Sequence, residues 1–143
     1  MEKILIIYVH GKNGSTNEAE HYKKFFANSE VVSFDYKSEN VWDFKAEFLN
    51  FFDATSKNFD KIILIANSIG AYFSMNALKD RKIYRAFFIS PIVNLEKLIK
   101  NLMQFAKVTE NELREKEEIP TDFGENLSWK YLCYVRENKI FWN

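Results

Sequence analysis

The stretch Lys61–Leu78, KIILIANSIGAYFSMNAL, decides how this chain reads. Its first half, Ile62–Ala66, is a nearly unbroken apolar run. Runs of that kind form strands covered on both faces, as in parallel sheets. From Ile69 onward the spacing becomes helical, with Ile69, Tyr72, Phe73 and Leu78 marking one face. Ser68 stands at the join, with Ala66 two residues before it and Gly70 two residues after. A Ser there has two readings. It can cap the first turn of the helix. Or, on a sharp strand-to-helix turn, it lifts its hydroxyl above the sheet, and the N–H of the next residue points into the same space.

Working outward, three more apolar runs appear: Ile4–Val9, Val31–Tyr36 and Ala86–Ser90. Helical patterns lie between them. Ala19, Tyr22 and Phe26 mark one helix face. Val41, Lys45, Phe48 and Phe52 mark another, widened by Trp42, Leu49 and Phe51. Strands alternating with helices imply right-handed βαβ units and an α/β fold with a doubly wound parallel sheet. After Pro91 the strand signal stops. Leu95, Leu98, Ile99, Leu102 and Ala106 form a helical stripe, and Thr109-x-x-Glu112 has capping-box spacing. Glu118–Gly124 reads as a loop, and a last helix runs from Ser128 to about Arg136 with Trp129, Leu132 and Cys133 on one side. The expected organisation is a core over 1–93, an all-helical cap insertion over 94–138, and the start of a further strand at 139–143.

Composition narrows the function classes. The 143 residues suit one domain, and 47% hydrophobic content with 14 Phe, 7 Tyr and 3 Trp fills a sizeable core. Twenty basic and 20 acidic residues cancel, with no basic run, so neither nucleic acid nor an anionic membrane is an expected partner. Cys133 stands alone, so no internal disulfide or thiolate metal cluster is expected, and a reducing compartment fits. The apolar run Ile4–Val9 is shorter than a secretory core of about 7–15 residues or a membrane span of about 20. A cytoplasmic protein without a membrane span is therefore expected. The two His residues lack metal-ligand spacing, and neither phosphate-binding glycine pattern is present, so no metal or cofactor is expected.

In open α/β sheets ligands bind beyond the carboxyl ends of the strands. Those ends carry His10-Gly11-Lys12-Asn13-Gly14, Asp35-Tyr36, Asn67-Ser68-Ile69-Gly70 and Ser90-Pro91. The Ala66-Asn67-Ser68-Ile69-Gly70 motif resembles the nucleophile elbow of the α/β-hydrolase family, with Ala in place of the first Gly. YVHGKNGS (Tyr8–Ser15) resembles that family's H-G-x-x-G turn, VVSFDY its strand ending in an Asp-aromatic turn, and the helices after Pro91 its cap. The ordered set resembles the N-terminal portion of a small esterase or lysophospholipase-like serine hydrolase.

The resemblance implies specific roles. Ser68 would be the nucleophile, and the backbone N–H groups of Lys12 and Ile69 would form the oxyanion hole. His10, Gly11, Gly14, Ala66 and Gly70 would support the motif. The substrate would be a small or medium ester or acyl compound. The family's acid and catalytic His would follow later strands, beyond Asn143, so the sheet is expected to be truncated before its last strands. Without a base the Ser hydroxyl is a weak nucleophile, so this chain is expected to be inactive or incomplete by itself.

Several residues keep two readings. His10 either orders its turn or serves as a base. Asp35 either caps the following helix or acts as the acid. His21 is expected within an amphipathic helix, its imidazole either solvated or packed. Phe105, Phe123, Trp129, Tyr131 and Tyr134 either line an acyl pocket or pack the cap. Two further functions compete with the hydrolase. One is a non-catalytic binding or assembly module, self-associating through the exposed edge of the Ala86–Ser90 strand. The other is a flavodoxin-like binder, whose strand order 2-1-3-4 is shared.

Overall fold

The structure, a computed structural model, describes residues 1–140, and they divide into two compact units, Met1–Val93 and the segment from Asn94 onward. The first unit is built on four parallel strands: β1 (Ile4–Val9), β2 (Glu30–Ser33), β3 (Lys61–Asn67) and β4 (Arg85–Ile89). Their order is β2-β1-β3-β4. β1 lies in the middle, with Ile4 opposite Lys61 and Val9 opposite Ala66 on β3. The Ile-rich runs are the central strands, and Leu5–Val9 and Ile62–Ala66 are buried throughout. Parallel neighbours need crossover segments, which cover both faces and make continuous apolar runs favourable.

On one face Ile6, Ile63 and Ile65 pack with Ile4, Tyr22, Phe26 and Val31. Only Glu20–Lys23 forms an α-helix there (α1), after a 3-10 turn over Thr16–Ala19, and Phe26 lies beyond it. The expected longer helix face is thus replaced by a short, tightly wound segment. Elsewhere an aromatic cluster forms. α2 (Val41–Ser56) is capped by Asn40, whose side chain accepts the N–H of Asp43 at 2.8 Å. It buries Val41, Phe44, Phe48 and Phe52. The observed stripe therefore runs through Phe44 rather than Lys45. A helix turns 3.6 residues at a time, so steps of three and four both keep one face, and the apolar ring wins the buried position. Phe44 lies 5.1 Å from Phe73 of α3 (Ile69–Ala77), centroid to centroid, and edge-on to Phe34 and Tyr36. Each such ring contributes about 1.5–3 kcal/mol by burial. β2 ends at Ser33, before the expected Tyr36, because Phe34 and Tyr36 turn inward to join this cluster. One further ladder bond, from Phe34 N–H to Tyr8 O, is made as the chain leaves the sheet.

The second unit contains α4 (Leu95–Ala106), α5 (Glu110–Lys116) and α6 (Trp129–Glu137). It is not all-helical. β5 (Glu118–Pro120) and β6 (Asn126–Ser128) form an antiparallel hairpin where a loop was expected. Each strand has three residues, too few for a period-2 pattern to register. Met103 joins Leu95 and Ile99 on the buried face of α4, while Leu132 and Val135, rather than Trp129 and Cys133, are the buried residues of α6. Thr109 and Glu112 form the capping box that their spacing predicts. Lys139 and Ile140 carry no strand, and the rest of the expected strand start, residues 141–143, lies outside the described residues.

Candidate active site

Ser68 is the one residue between β3 and α3. Its backbone lies at φ +55° and ψ −123°, in neither the helical nor the extended region. A non-glycine residue in such a conformation costs of order 1–3 kcal/mol and persists only where its surroundings over-determine it. Both of its backbone groups are held. Its N–H donates to Ile89 O at 3.0 Å, and its carbonyl accepts from Ala71 N–H and Ile92 N–H, each at 3.1 Å. The side chain makes no capping hydrogen bond. The capping reading of Ser68 therefore fails: the hydroxyl is not spent on the first turn of α3.

The first loop closes on the same place. Gly14 N–H donates to Gly11 O at 3.0 Å, making a turn with Lys12 and Asn13 at its centre. Asn13 takes φ +62°, which Asn tolerates in such turns. A methyl at Gly11 would lie 3.0 Å from Ser68 Cβ and 3.2 Å from Asn67 O, so the loop touches the elbow through Gly11. A methyl at Gly70 would lie 2.5 Å from His10 O and 3.0 Å from Val9 O. That is closer than a Cβ can approach backbone, so α3 starts against β1 only because Gly70 has no side chain. Ala66 is fully buried and sits opposite Val9 on β1 and Phe88 on β4. Ser68, Ile69, Gly70 and Ala66 are thus gathered with the His10–Gly14 loop at the carboxyl ends of β1 and β3. The N–H of Ile69 belongs to the first turn of α3, where N–H groups have no partner within their own helix.

His10 is tied into the loop. Its Nδ1 lies 2.8 Å from Gly11 O, and since a carbonyl can only accept, Nδ1 carries the proton. The ring stacks on Tyr36 at 4.3 Å, and Tyr36 Oη donates to His10 O at 2.7 Å. Burial, aided by the charge of Glu18, pushes the Tyr36 phenol up to about 12, so it stays a donor at neutral pH. Asp35 is exposed, and the cap of α2 is Asn40 instead. His21 is exposed and meets Tyr22 and Phe25 edge-on. In the second unit Phe105 and Phe123 pair at 5.3 Å, with Phe105 77% exposed. Among the described residues no group of three His, Cys, Asp or Glu side chains converges as a metal site, and no helix is long and apolar enough to cross a membrane.

Two residues that the sequence motifs do not single out lie beside this site. Tyr8 Oη donates to Glu18 Oε1 at 2.5 Å, and Glu18 Oε2 accepts Ser15 N–H at 3.0 Å. Burial, and then the bond to Glu18, drive the Tyr8 phenol well above its ordinary range, and the same bond holds Glu18 below the usual carboxylate range. The only trace of Glu18 in the sequence is the Ser15-x-x-Glu18 spacing of a capping box.

No protein-family model matches the chain, and no curated protein matches it by sequence. Solved structures do match it. Est1E from Butyrivibrio proteoclasticus is similar with a TM-score of 0.67 and 13% identity, over 95% of this chain and 60% of that one. Alpha/beta hydrolase domain-containing protein 10 from mouse gives a TM-score of 0.67 and 17% identity, over 95% of this chain and 62% of that one. A protein of unknown function from Staphylococcus aureus subsp. aureus Mu50 gives 0.54 and 16%, over 97% and 57%. The fold is the α/β-hydrolase fold, as the ordered motifs led one to expect. The chain spans about three-fifths of the length of these structures.

Proposed function

We propose that this chain, built on the α/β-hydrolase fold, carries the nucleophile and the oxyanion hole of a serine hydrolase acting on a small or medium ester or acyl substrate. Ser68 Oγ attacks the carbonyl carbon, its proton passes to a base, and the carbonyl oxygen takes up negative charge. The N–H groups of Lys12 and Ile69 hold that oxyanion. When the tetrahedral species collapses, the bond to the leaving oxygen breaks, the base returns the proton to it, and an acyl-Ser68 ester remains for water to cleave. In this reading His10 orders its turn, with Nδ1 donating to Gly11 O and the ring stacked on Tyr36. The base and acid are assigned to no described residue.

The observation that carries this reading is the backbone of Ser68, at φ +55° with a hydroxyl that caps nothing. A fluorophosphonate ester tests it. The protein should gain one phosphonyl group on the peptide containing Ser68, and Ser68→Ala should take none. A folded protein that carries this chain together with a general base and stays unlabelled at Ser68 would show that Ser68 is not a nucleophile.

A second reading has its own observation. Among the described residues β4 pairs only with β3, and Arg85, Ala86, Phe87 and Ile89 along it are exposed, Phe87 at 47%. An open, apolar edge is a template for pairing with another strand, as an assembly module would use. Sedimentation that stays monomeric to high concentration removes this alternative.

A further inference from the structure

Two successive peptide groups join His10 to Lys12. Each is a rigid plane in which C=O and N–H point opposite ways. The first carries His10 O and Gly11 N–H, the second Gly11 O and Lys12 N–H. Whatever holds Gly11 O therefore aims the Lys12 N–H. Gly11 O is held twice: it accepts the Gly14 N–H at 3.0 Å and the proton on His10 Nδ1 at 2.8 Å. His10 O is held by Tyr36, whose Oη donates to it at 2.7 Å.

Both peptide groups lead back to Tyr36. Its hydroxyl holds the first directly. Its ring lies 4.3 Å from the His10 ring and 7° from parallel, and that stack fixes the plane from which Nδ1 donates to the second. Tyr36 is itself closely housed. It is buried, edge-on to Phe44 at 4.8 Å and to Phe73 at 6.0 Å, and stacked on Phe34. Rings from the exit of β2, from α2 and from α3 thus form the wall against which the first loop is set. The loop so held meets the elbow directly: a methyl at Gly11 would lie 3.0 Å from Ser68 Cβ, and one at Gly70 would lie 2.5 Å from His10 O.

We infer that Tyr36 is a positioning residue, which grips the two peptide groups between His10 and Lys12 and so aims the Lys12 N–H at the carbonyl oxygen of a substrate on Ser68. The inference rests on the serine-hydrolase reading for the substrate, whereas the grip on the loop stands apart from it. Tyr36 touches no reacting atom. It acts by placement, and a hydrogen-bond donor displaced by about 1 Å loses most of its effect on a developing charge.

Two substitutions separate the two grips. Tyr36→Phe removes the hydroxyl and keeps the stacked ring, and Tyr36→Leu removes both. Phe52→Leu, about two turns along α2 from Phe44, is the control for lost aromatic packing alone. The fluorophosphonate is applied to a protein that carries this chain together with a general base. The maximal labelling rate of Ser68 should fall roughly 10-fold in Tyr36→Phe and further in Tyr36→Leu, with the half-saturating concentration unchanged. Phe52→Leu should keep the wild-type rate. In NMR spectra the Lys12 amide should shift in both Tyr36 variants, and the His10 Nδ1–H signal should be lost to solvent exchange in Tyr36→Leu. Phe52→Leu should leave both signals in place. If Tyr36→Leu does not fold, Tyr36→Phe decides alone. If the wild type takes no label, the hydrolase reading fails, and the Lys12 amide still decides the grip. The inference is overturned if folded Tyr36→Phe leaves the Lys12 amide unmoved, if it labels at the wild-type rate, or if Phe52→Leu slows labelling as much.

Discussion

Ser68 holds a conformation that an L-residue adopts only under constraint, and its constraints are all backbone bonds to Ile89, Ala71 and Ile92. Removing the hydroxyl and removing the strain are separable. Ser68→Ala loses the nucleophile and keeps the strained φ, whereas Ser68→Gly loses both. We expect Ser68→Gly to be more stable than Ser68→Ala by about 1 kcal/mol in urea denaturation, the relief of strain outweighing glycine's extra chain entropy. Equal stabilities would mean that the backbone is unstrained. The Ser was visible in the sequence because small residues flank it. Its φ was not, since Ser carries no propensity for that region and only the contacts of β4 and α3 impose it. Glu18 and Tyr8 were illegible for a related reason. A capping-box spacing announces the local bond of Glu18 and says nothing about the second oxygen.

Among the elements, the join of α3 to β1 is the tightest. Gly70→Ala would bring a methyl within 2.5 Å of His10 O, and backbone cannot yield as a side chain can. We expect a loss of roughly 3 kcal/mol, at the upper end of overpacking costs. A thermal melt unchanged within a degree would mean that α3 stands off further than this geometry requires. The long strands and helices were read nearly to their ends, because β1 and β3 are apolar on both faces and α2 and α4 carry strong periodicity. Phe44 was missed, since Lys45 also fits a four-residue step from Val41. Which of the two packs is decided by the rings of Phe34, Tyr36 and Phe73 waiting there. The β5–β6 hairpin was missed because Glu118–Pro120 and Asn126–Ser128 are strands only by virtue of each other. Its turn is secured by Thr121, whose N–H donates to Glu125 O, and by Gly124 at φ +83°.

At the scale of the molecule, both units store acid-sensitive charge. Glu18 in the first unit is held below its usual range by the hydrogen bond from Tyr8. In the second, Glu96 and Glu110 are held below theirs by hydrogen bonds from Arg136. A carboxylate depressed in the folded state stabilises above its unfolded pKa, and that contribution is lost as pH falls through the folded value. Stability should therefore be flat near neutrality and fall below about pH 4.5, the ordinary Glu range. Arg136→Ala should flatten this acid limb, lowering stability at pH 6 more than at pH 3, as urea midpoints at the two values would show. Because Glu110 is exposed and Glu96 keeps part of its exposure, the change should be modest. An unaltered pH slope in Arg136→Ala would assign the acid limb elsewhere.

The strand order β2-β1-β3-β4 was foreseen from the resemblance of the ordered motifs, and the parallel sheet from the apolar runs themselves. Both rest on information carried along the chain, because periodicity and covered strands are properties of neighbouring residues. The position of Ser68 between strand and helix belongs to the same class. What folding alone settles is everything that depends on residues distant in sequence. The strain at Ser68 is set by Ile89 and Ile92, the turn of His10 by Tyr36, and the reach of Glu18 by Tyr8 on another element. A sequence pattern records which side chains can meet water and which cannot. It does not record which hydrogen-bond partner a second oxygen will find, and for Glu18 that partner is Tyr8 on the central strand β1.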